Sequence, residues 1–103
     1  MNLHDFANNV LRWSGERGII PNATAESQTL KALSEMGELA DAVLKRDRAA
    51  IVDAIGDVLV CLVNVAALTG TSLEECCEAA WEQIKDRRGR LLPNGVFVKE
   101  VAE

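Results

Sequence analysis

Apolar positions along the chain recur at helical rather than strand spacing. Leu3, Phe6, Val10 and Trp13 share one face of a predicted first helix, from about Leu3 to Arg17, which Gly18 stops. Ile19 to Asn22 reads as a short apolar connector. Pro21 prevents a helix from continuing through it, and Asn22 or Thr24 offers the next N-cap. A second helix is predicted from about Ala25 to Lys45. Leu30, Leu33, Gly37, Ala40 and Leu44 form its apolar stripe, widened by Met36, Leu39 and Val43. Gln28, Lys31, Glu35, Glu38 and Ala42 fall on a different line, at steps of three and four, and project in nearly one direction. Glu35 borders the apolar arc, so its carboxylate is expected to be partly solvated.

The third predicted helix, about Arg48 to Thr69, is apolar on every side, the pattern of a helix buried against several partners. Asp53, Asp57 and Asn64 interrupt it, four and then seven residues apart, and Gly70 provides the stop. A fourth helix opens with the capping sequence Ser72-Leu73-Glu74-Glu75 and runs to about Arg88, with Leu73, Cys77, Ala80 or Trp81, and Ile84 expected on its buried face. Beyond Gly89, the pair Asn94-Gly95 between apolar runs predicts a short hairpin. The fold class expected is all-α: a four-helix bundle, completed by oligomerisation, with a C-terminal hairpin or extended tail.

Composition narrows the function. At 103 residues, 1–103 is read as a single domain, because a core of this size does not usefully divide. With 49% hydrophobic residues the chain is globular, and its few aromatics leave aliphatic side chains and Ala to fill the core. A net charge of -5 argues against nucleic-acid binding. It is compatible with an anionic ligand that arrives with a divalent cation. Cys61, Cys76 and Cys77 lack zinc-site spacing and read as thiols of a reducing, cytoplasmic protein. No signal-peptide pattern is visible, and the apolar stretch from Val58 to Leu68 reads as too short to span a membrane.

Glu35 and Glu38 lie three residues apart and reach one point beside their helix. Alone, such a pair is as well explained by a solvated surface. Asp57 shifts the balance, since an ionised carboxylate within an apolar helix costs several kcal/mol, roughly, unless paired or bound to metal. A salt bridge to Lys31, Lys45 or Arg46 would answer the need. With Asp53 one turn away, however, two neighbouring acids demand more positive charge than one side chain supplies. Oxygen donors without His or Cys suit a hard ion, Mg²⁺ with Mn²⁺ as a substitute. A di-iron site would need a Glu-x-x-His pair, and the single histidine, His4, is elsewhere. The chemistry indicated is metal-assisted attack of water on a phosphoryl group.

The runs Glu35-Met-Gly-Glu38-Leu and Ile55-Gly-Asp57-Val-Leu resemble the MazG-like nucleoside triphosphate pyrophosphohydrolases. So do Trp13 with Arg17-Gly-Ile, Gln28 and Lys31, Leu73-Glu-Glu-Cys, Trp81 with Ile84-Lys-Asp-Arg, and the ending Gly95-Val-Phe-Val-Lys-Glu, which look like the small, often phage-borne branch. The resemblance implies an all-α homodimer or homotetramer that converts (deoxy)nucleoside triphosphates to monophosphate and pyrophosphate, with acidic residues holding Mg²⁺. Carried over by position, Glu35, Glu38 and Asp57 are the catalytic acids. Ser34 and Ala54 stand where the family carries Glu, and Asp53 is the expected substitute for the acid missing at Ala54. The metal set is then Glu35, Glu38, Asp53 and Asp57.

Lys31, Asn64, Lys85 and Arg88 are the expected substrate contacts. Asn64 reads equally well as a buried amide satisfied within the protein, and the basic cluster as charge suited to a helix C-terminus. Trp13 and Trp81 could stack on a base, but at helical spacing with Leu and Ile they read as core. A catalytically weakened homologue that binds nucleotide or a protein partner is the alternative, as is a purely structural bundle on which metal has no effect.

Overall fold

The computed structural model describes residues 1–101. Among them the elements are α1 (Leu3–Glu16), α2 (Ile19–Asn22), α3 (Ala25–Leu44), α4 (Arg48–Leu68), α5 (Leu73–Ile84), β1 (Gly89–Leu91) and β2 (Phe97–Lys99). The all-α class is as expected. The boundaries are set by local polar chemistry. Asn2 caps α1 by accepting from the Asp5 N–H at 2.8 Å, and Thr24 caps α3 by accepting from Ser27 at 3.0 Å. Asp47 caps α4 by accepting from Ala50 at 3.1 Å, and Ser72 caps α5 by accepting from Glu75 at 3.1 Å. Each supplies an acceptor for an N–H that the helix cannot satisfy itself. The connector at Ile19 is a single helical turn, α2, broken at Ile20 and containing a cis Ile20–Pro21 bond.

The body is the antiparallel pair α3–α4, with α1 crossing α4 and α2 filling the corner. The three-residue link between α3 and α4 turns at Arg46, whose φ of 54° is left-handed. There the Arg46 and Asp47 amides close on the carbonyls of Val43 and Ala42, each at 3.1 Å. Ala32 and Ala42 of α3 and Ala54 and Cys61 of α4 are buried, so small side chains bring these helices together.

Three expectations are corrected. First, the face that α3 turns to α4 is the Ala32, Glu35 and Ala42 line, not the Leu stripe. Leu30, Leu33 and Leu44 are 66%, 68% and 82% exposed. Val52, Ile55 and Leu62 of α4 are also uncovered. Second, the apolar face of α5 is not buried within the chain. The helix touches the body chiefly along α4, and Trp81 and Ile84 on its expected buried face are exposed, as is Trp13 on α1. Third, α4 at 21 residues with a mean hydropathy of 2.1 is long and apolar enough to cross a bilayer by length and composition. It packs against α1, α2, α3 and α5, yet only 28% of its apolar stretch is buried, so it is covered on part of its circumference and not on every side as its pattern led one to expect.

The helices and the C-terminal ribbon thus form an elongated particle with a radius of gyration of 16.3 Å, against about 13 Å for a compact 100-residue domain. Its accessible surface is 7846 Å², where a monomeric protein of this mass has about 5,700 Å². In the ribbon, β1 and β2 are antiparallel, with Gly89 opposite Lys99 and Leu91 opposite Phe97. A Cβ at Gly89 would collide with the Val98 carbonyl and the Phe97 ring, so only glycine fits there. The turn is wider than an Asn-Gly hairpin: Leu92 N–H donates to the Val96 carbonyl at 2.8 Å and Gly95 N–H to the Leu92 carbonyl at 2.9 Å.

Candidate functional site: a groove along α3 and α4

The candidate residues lie along the α3–α4 seam, carboxylates at one level and amides at the other. At the acidic end, Glu35 points towards α4 and is only 8% exposed, more buried than its place at the edge of the apolar arc led one to expect. Its Oε1 accepts from Lys31 Nζ at 3.2 Å. Its Oε2 is buried without a hydrogen-bond partner, a costly condition for a carboxylate oxygen.

The neighbouring groups register that excess of negative charge. The Glu38 carboxyl is held above the usual range by the hydrogen bond its protonated form makes with Glu35 and by the Glu35 charge. Asp57 is pushed up by desolvation first, then by the charges of Asp53 and Glu35, while Lys31 pulls the other way. Lys31 in turn holds its proton more tightly because of its bond to Glu35 and the charge there. The Cys61 thiol, one turn beyond Asp57, is raised by burial and feels Lys31, Glu35 and Asp57, which places it in the floor of the same site.

Glu35, Glu38, Asp57 and Lys31 are therefore within electrostatic reach of one another, while Asp53 acts on Asp57 alone, from one turn away on the same helix. Ala54, 4% exposed, lies against α3, whereas Asp53 is on the exposed flank of α4. Among the described residues no three His, Cys, Asp or Glu side chains are gathered as a finished metal cage. The donor set nevertheless fits a hard cation: the oxygens are all carboxylate, one is buried and unpartnered, and a lysine provides the local positive charge. Glu38 and Asp53 are exposed and have the rotamer freedom to close on an ion.

At the amide end, Asn64 is 1% exposed and Ser14 fully buried. Ser14 Oγ donates to Asn64 Oδ1 at 2.6 Å, and Asn64 Nδ2 donates to Gln28 Oε1 at 3.1 Å. This chain ties α1, α4 and α3 together across the end of the groove. Sequence reasoning left Ser14 and Cys61 out, because nothing in the spacing along one helix reveals a partner on another. Gln28 sits on the Glu35 line and was legible as part of that line and of the family resemblance, not as a partner of Asn64.

Lys85 and Arg88 are placed elsewhere. Lys85 Nζ pairs with Glu82 at 2.8 Å on α5. Arg88 borders an open cavity of about 860 Å³ between the end of α5 and the ribbon, with Arg87 and Lys99. A second, apolar cavity of about 390 Å³ separates α1 from α5 and contains none of the acids.

The model of the MazG nucleotide pyrophosphohydrolase domain matches residues 23–91. An uncharacterized 18.2 kDa protein from the rep-hol intergenic region of Haemophilus phage HP1 is 33% identical over 64 residues, which cover 62% of this chain and 39% of that protein. The chain thus spans well under half the length of that relative. A cyanophage S-2L MazG-like pyrophosphohydrolase, solved with dGDP and three catalytic Mn²⁺ ions per active site, aligns with a TM-score of 0.73 over 100% of this chain and 97% of its own, at 21% identity. That likeness shows a shared fold. The family match takes in α3, α4, α5 and every acid of the groove, and the chain belongs to the MazG nucleotide pyrophosphohydrolase domain family.

Proposed function

We propose that the protein hydrolyses (deoxy)nucleoside triphosphates to monophosphate and pyrophosphate with the help of Mg²⁺, or Mn²⁺ in its place. The observation that carries this reading is the unpartnered, buried Glu35 Oε2 beside two carboxyls whose proton affinity is raised. Such a group needs a cation, and one lysine is insufficient. Bound metal supplies charge neutralisation for a polyphosphate and activation of water. Glu35, Glu38 and Asp57 would hold the ion, with Asp53 in place of the acid absent at Ala54, and Lys31, paired with Glu35, would offer positive charge to a substrate phosphate.

The relative from cyanophage S-2L, bound to dGDP and Mn²⁺, supports nucleotide and a divalent ion as ligands. Self-association as a homodimer or homotetramer is supported by the surplus of about 2,000 Å² of exposed surface, the size of a stable interface. Lys85 and Arg88 lie on the α5 arm away from the acids and reach a groove only as contributions from a neighbouring copy.

The buried alanine at position 54 and the absence of a gathered cage among the described residues favour one second reading, a weakened homologue that binds nucleotide but turns it over slowly. Pyrophosphate release from a panel of dNTPs with Mg²⁺ or Mn²⁺, for wild type, Glu38→Gln and Asp57→Asn, separates the two. The proposal expects release by wild type and loss in both variants. No release by wild type with either metal favours the second reading. Unchanged release by both variants removes the site assignment.

A further inference from the structure

Gln28 and Glu35 are seven residues apart on α3, and Asp57 and Asn64 are seven apart on α4. Seven residues are two helical turns, about 10 Å. Because α3 and α4 run antiparallel, the two spacings run side by side. Asp57 feels Glu35 at one level, and Asn64 bonds Gln28 at the other. The α3–α4 seam therefore has two stations, one of carboxylates and one of amides, separated by roughly the reach from the phosphates of a nucleotide to the far edge of its base.

The polarity of the amide station is set from inside the protein. Ser14 Oγ, fully buried, donates to Asn64 Oδ1. Asn64 must then direct its Nδ2 outward, and it donates to Gln28 Oε1. That bond fixes the Gln28 amide with its carbonyl towards α4 and its NH₂ away from it. Gln28 is half-buried, and its Nε2 makes no hydrogen bond among the described residues. Asn64, 1% exposed and bonded through both amide atoms, cannot itself reach a ligand without breaking the chain.

We infer that Gln28 is a specificity-determining residue, held by the Ser14–Asn64 pair, whose NH₂ donates to a carbonyl oxygen of the nucleobase, so that oxo bases are preferred to amino bases. Asn64 and Ser14 are positioning residues: they act through Gln28 and do not touch the nucleotide. The inference rests on the nucleotide hydrolysis proposed above and names the feature of the substrate that this groove reads.

The test uses pairs of triphosphates that differ in one oxo-for-amino exchange, dITP against dATP and dUTP against dCTP, with wild type and Gln28→Glu. Glutamate keeps the acceptor for Asn64 but replaces the outward donor by an acceptor. Its added charge weakens all triphosphates alike, so the readout is the ratio of kcat/KM within each pair. Wild type should favour the oxo member by about tenfold, the worth of one hydrogen bond. Gln28→Glu should reverse the preference in at least one pair, chiefly through KM. A ratio that Gln28→Glu leaves unchanged in both pairs overturns the inference.

Binding of the four corresponding monophosphates, followed by NMR titration without metal, gives the same ratio without turnover. Absence of hydrolysis with a binding ratio that still reverses would overturn the proposed activity and leave the base-reading role standing. A binding ratio near one for wild type in both pairs overturns the role of Gln28 whatever the hydrolysis shows.

Discussion

Replacing Asn64 by Leu tests whether the buried polar chain is a structural unit. The two side chains share branching and heavy-atom count, and Leu is the larger, so no cavity is created and the main loss is of hydrogen bonding. Two bonds disappear, to Ser14 at 2.6 Å and to Gln28 at 3.1 Å. At about 0.5–1.5 kcal/mol each this is about 1–3 kcal/mol. The Ser14 hydroxyl, fully buried, is left without its acceptor, for about 1–3 kcal/mol more, less whatever it regains by turning to a carbonyl of its own helix. Better burial of Leu offsets roughly 1 kcal/mol.

The expected net loss is about 2–4 kcal/mol, or roughly 10–25 °C in Tm for a chain of this length. Ser14→Ala alone should cost about 1–2 kcal/mol. Added to Asn64→Leu, it should cost almost nothing, because it removes the stranded hydroxyl. Urea unfolding of the four proteins at one fixed protomer concentration, which keeps any subunit association constant, gives a coupling expected to exceed about 1 kcal/mol. Additive effects of the two substitutions would refute the reasoning, since they would mean that Ser14 and Asn64 do not depend on each other.

Three further outcomes follow from the acids and the backbone. Glu35→Gln should abolish the rise in Tm produced by Mg²⁺ or Mn²⁺ and lower pyrophosphate release by roughly a hundredfold or more; a full metal-dependent shift in this variant would contradict the ligand set. Without metal, Asp57 and Glu38 bind protons more tightly in the folded protein than in the unfolded chain. Stability should therefore rise as the pH falls from neutral through their raised pKa values, and Asp57→Asn should weaken that rise while increasing stability at neutral pH. With saturating metal the trend should reverse, because protons then compete for the ligands, and denaturation curves between neutral and mildly acidic pH with EDTA or Mn²⁺ check both signs. Arg46→Gly should raise stability by about 0.5–1 kcal/mol in a thermal melt, since φ at Arg46 is left-handed and glycine adopts it without strain.

The helices and their ends were legible because they depend on neighbouring residues: Thr24 and Ser72 cap locally, and Gly18 and Gly70 take the left-handed turns. The acids Glu35 and Asp57 could be found for a related reason, since a carboxylate in an apolar setting demands compensation wherever the helix packs. What periodicity could not reveal is which of two buried-looking faces meets which partner. On α3 the Leu30–Leu33–Leu44 stripe is the more hydrophobic, yet the small residues Ala32 and Ala42 face α4, because close helix approach selects for size as well as hydrophobicity. The same limit explains α5, whose apolar positions imply burial without saying against what. The Ser14–Asn64–Gln28 chain joins residues up to 50 positions apart, and no pattern along one helix encodes such a contact.

The products of a single-nucleotide reaction test the central claim most directly. Wild-type protein incubated with one dNTP and Mn²⁺ or Mg²⁺, followed by phosphorus NMR, should yield one nucleoside monophosphate and one pyrophosphate per turnover. Chelation by EDTA should stop the reaction, and Glu35→Gln should give no signal beyond the uncatalysed background. Nucleoside diphosphate with orthophosphate as products, or an intact triphosphate under both metals, would contradict the claim that the α3–α4 carboxylates support pyrophosphohydrolysis.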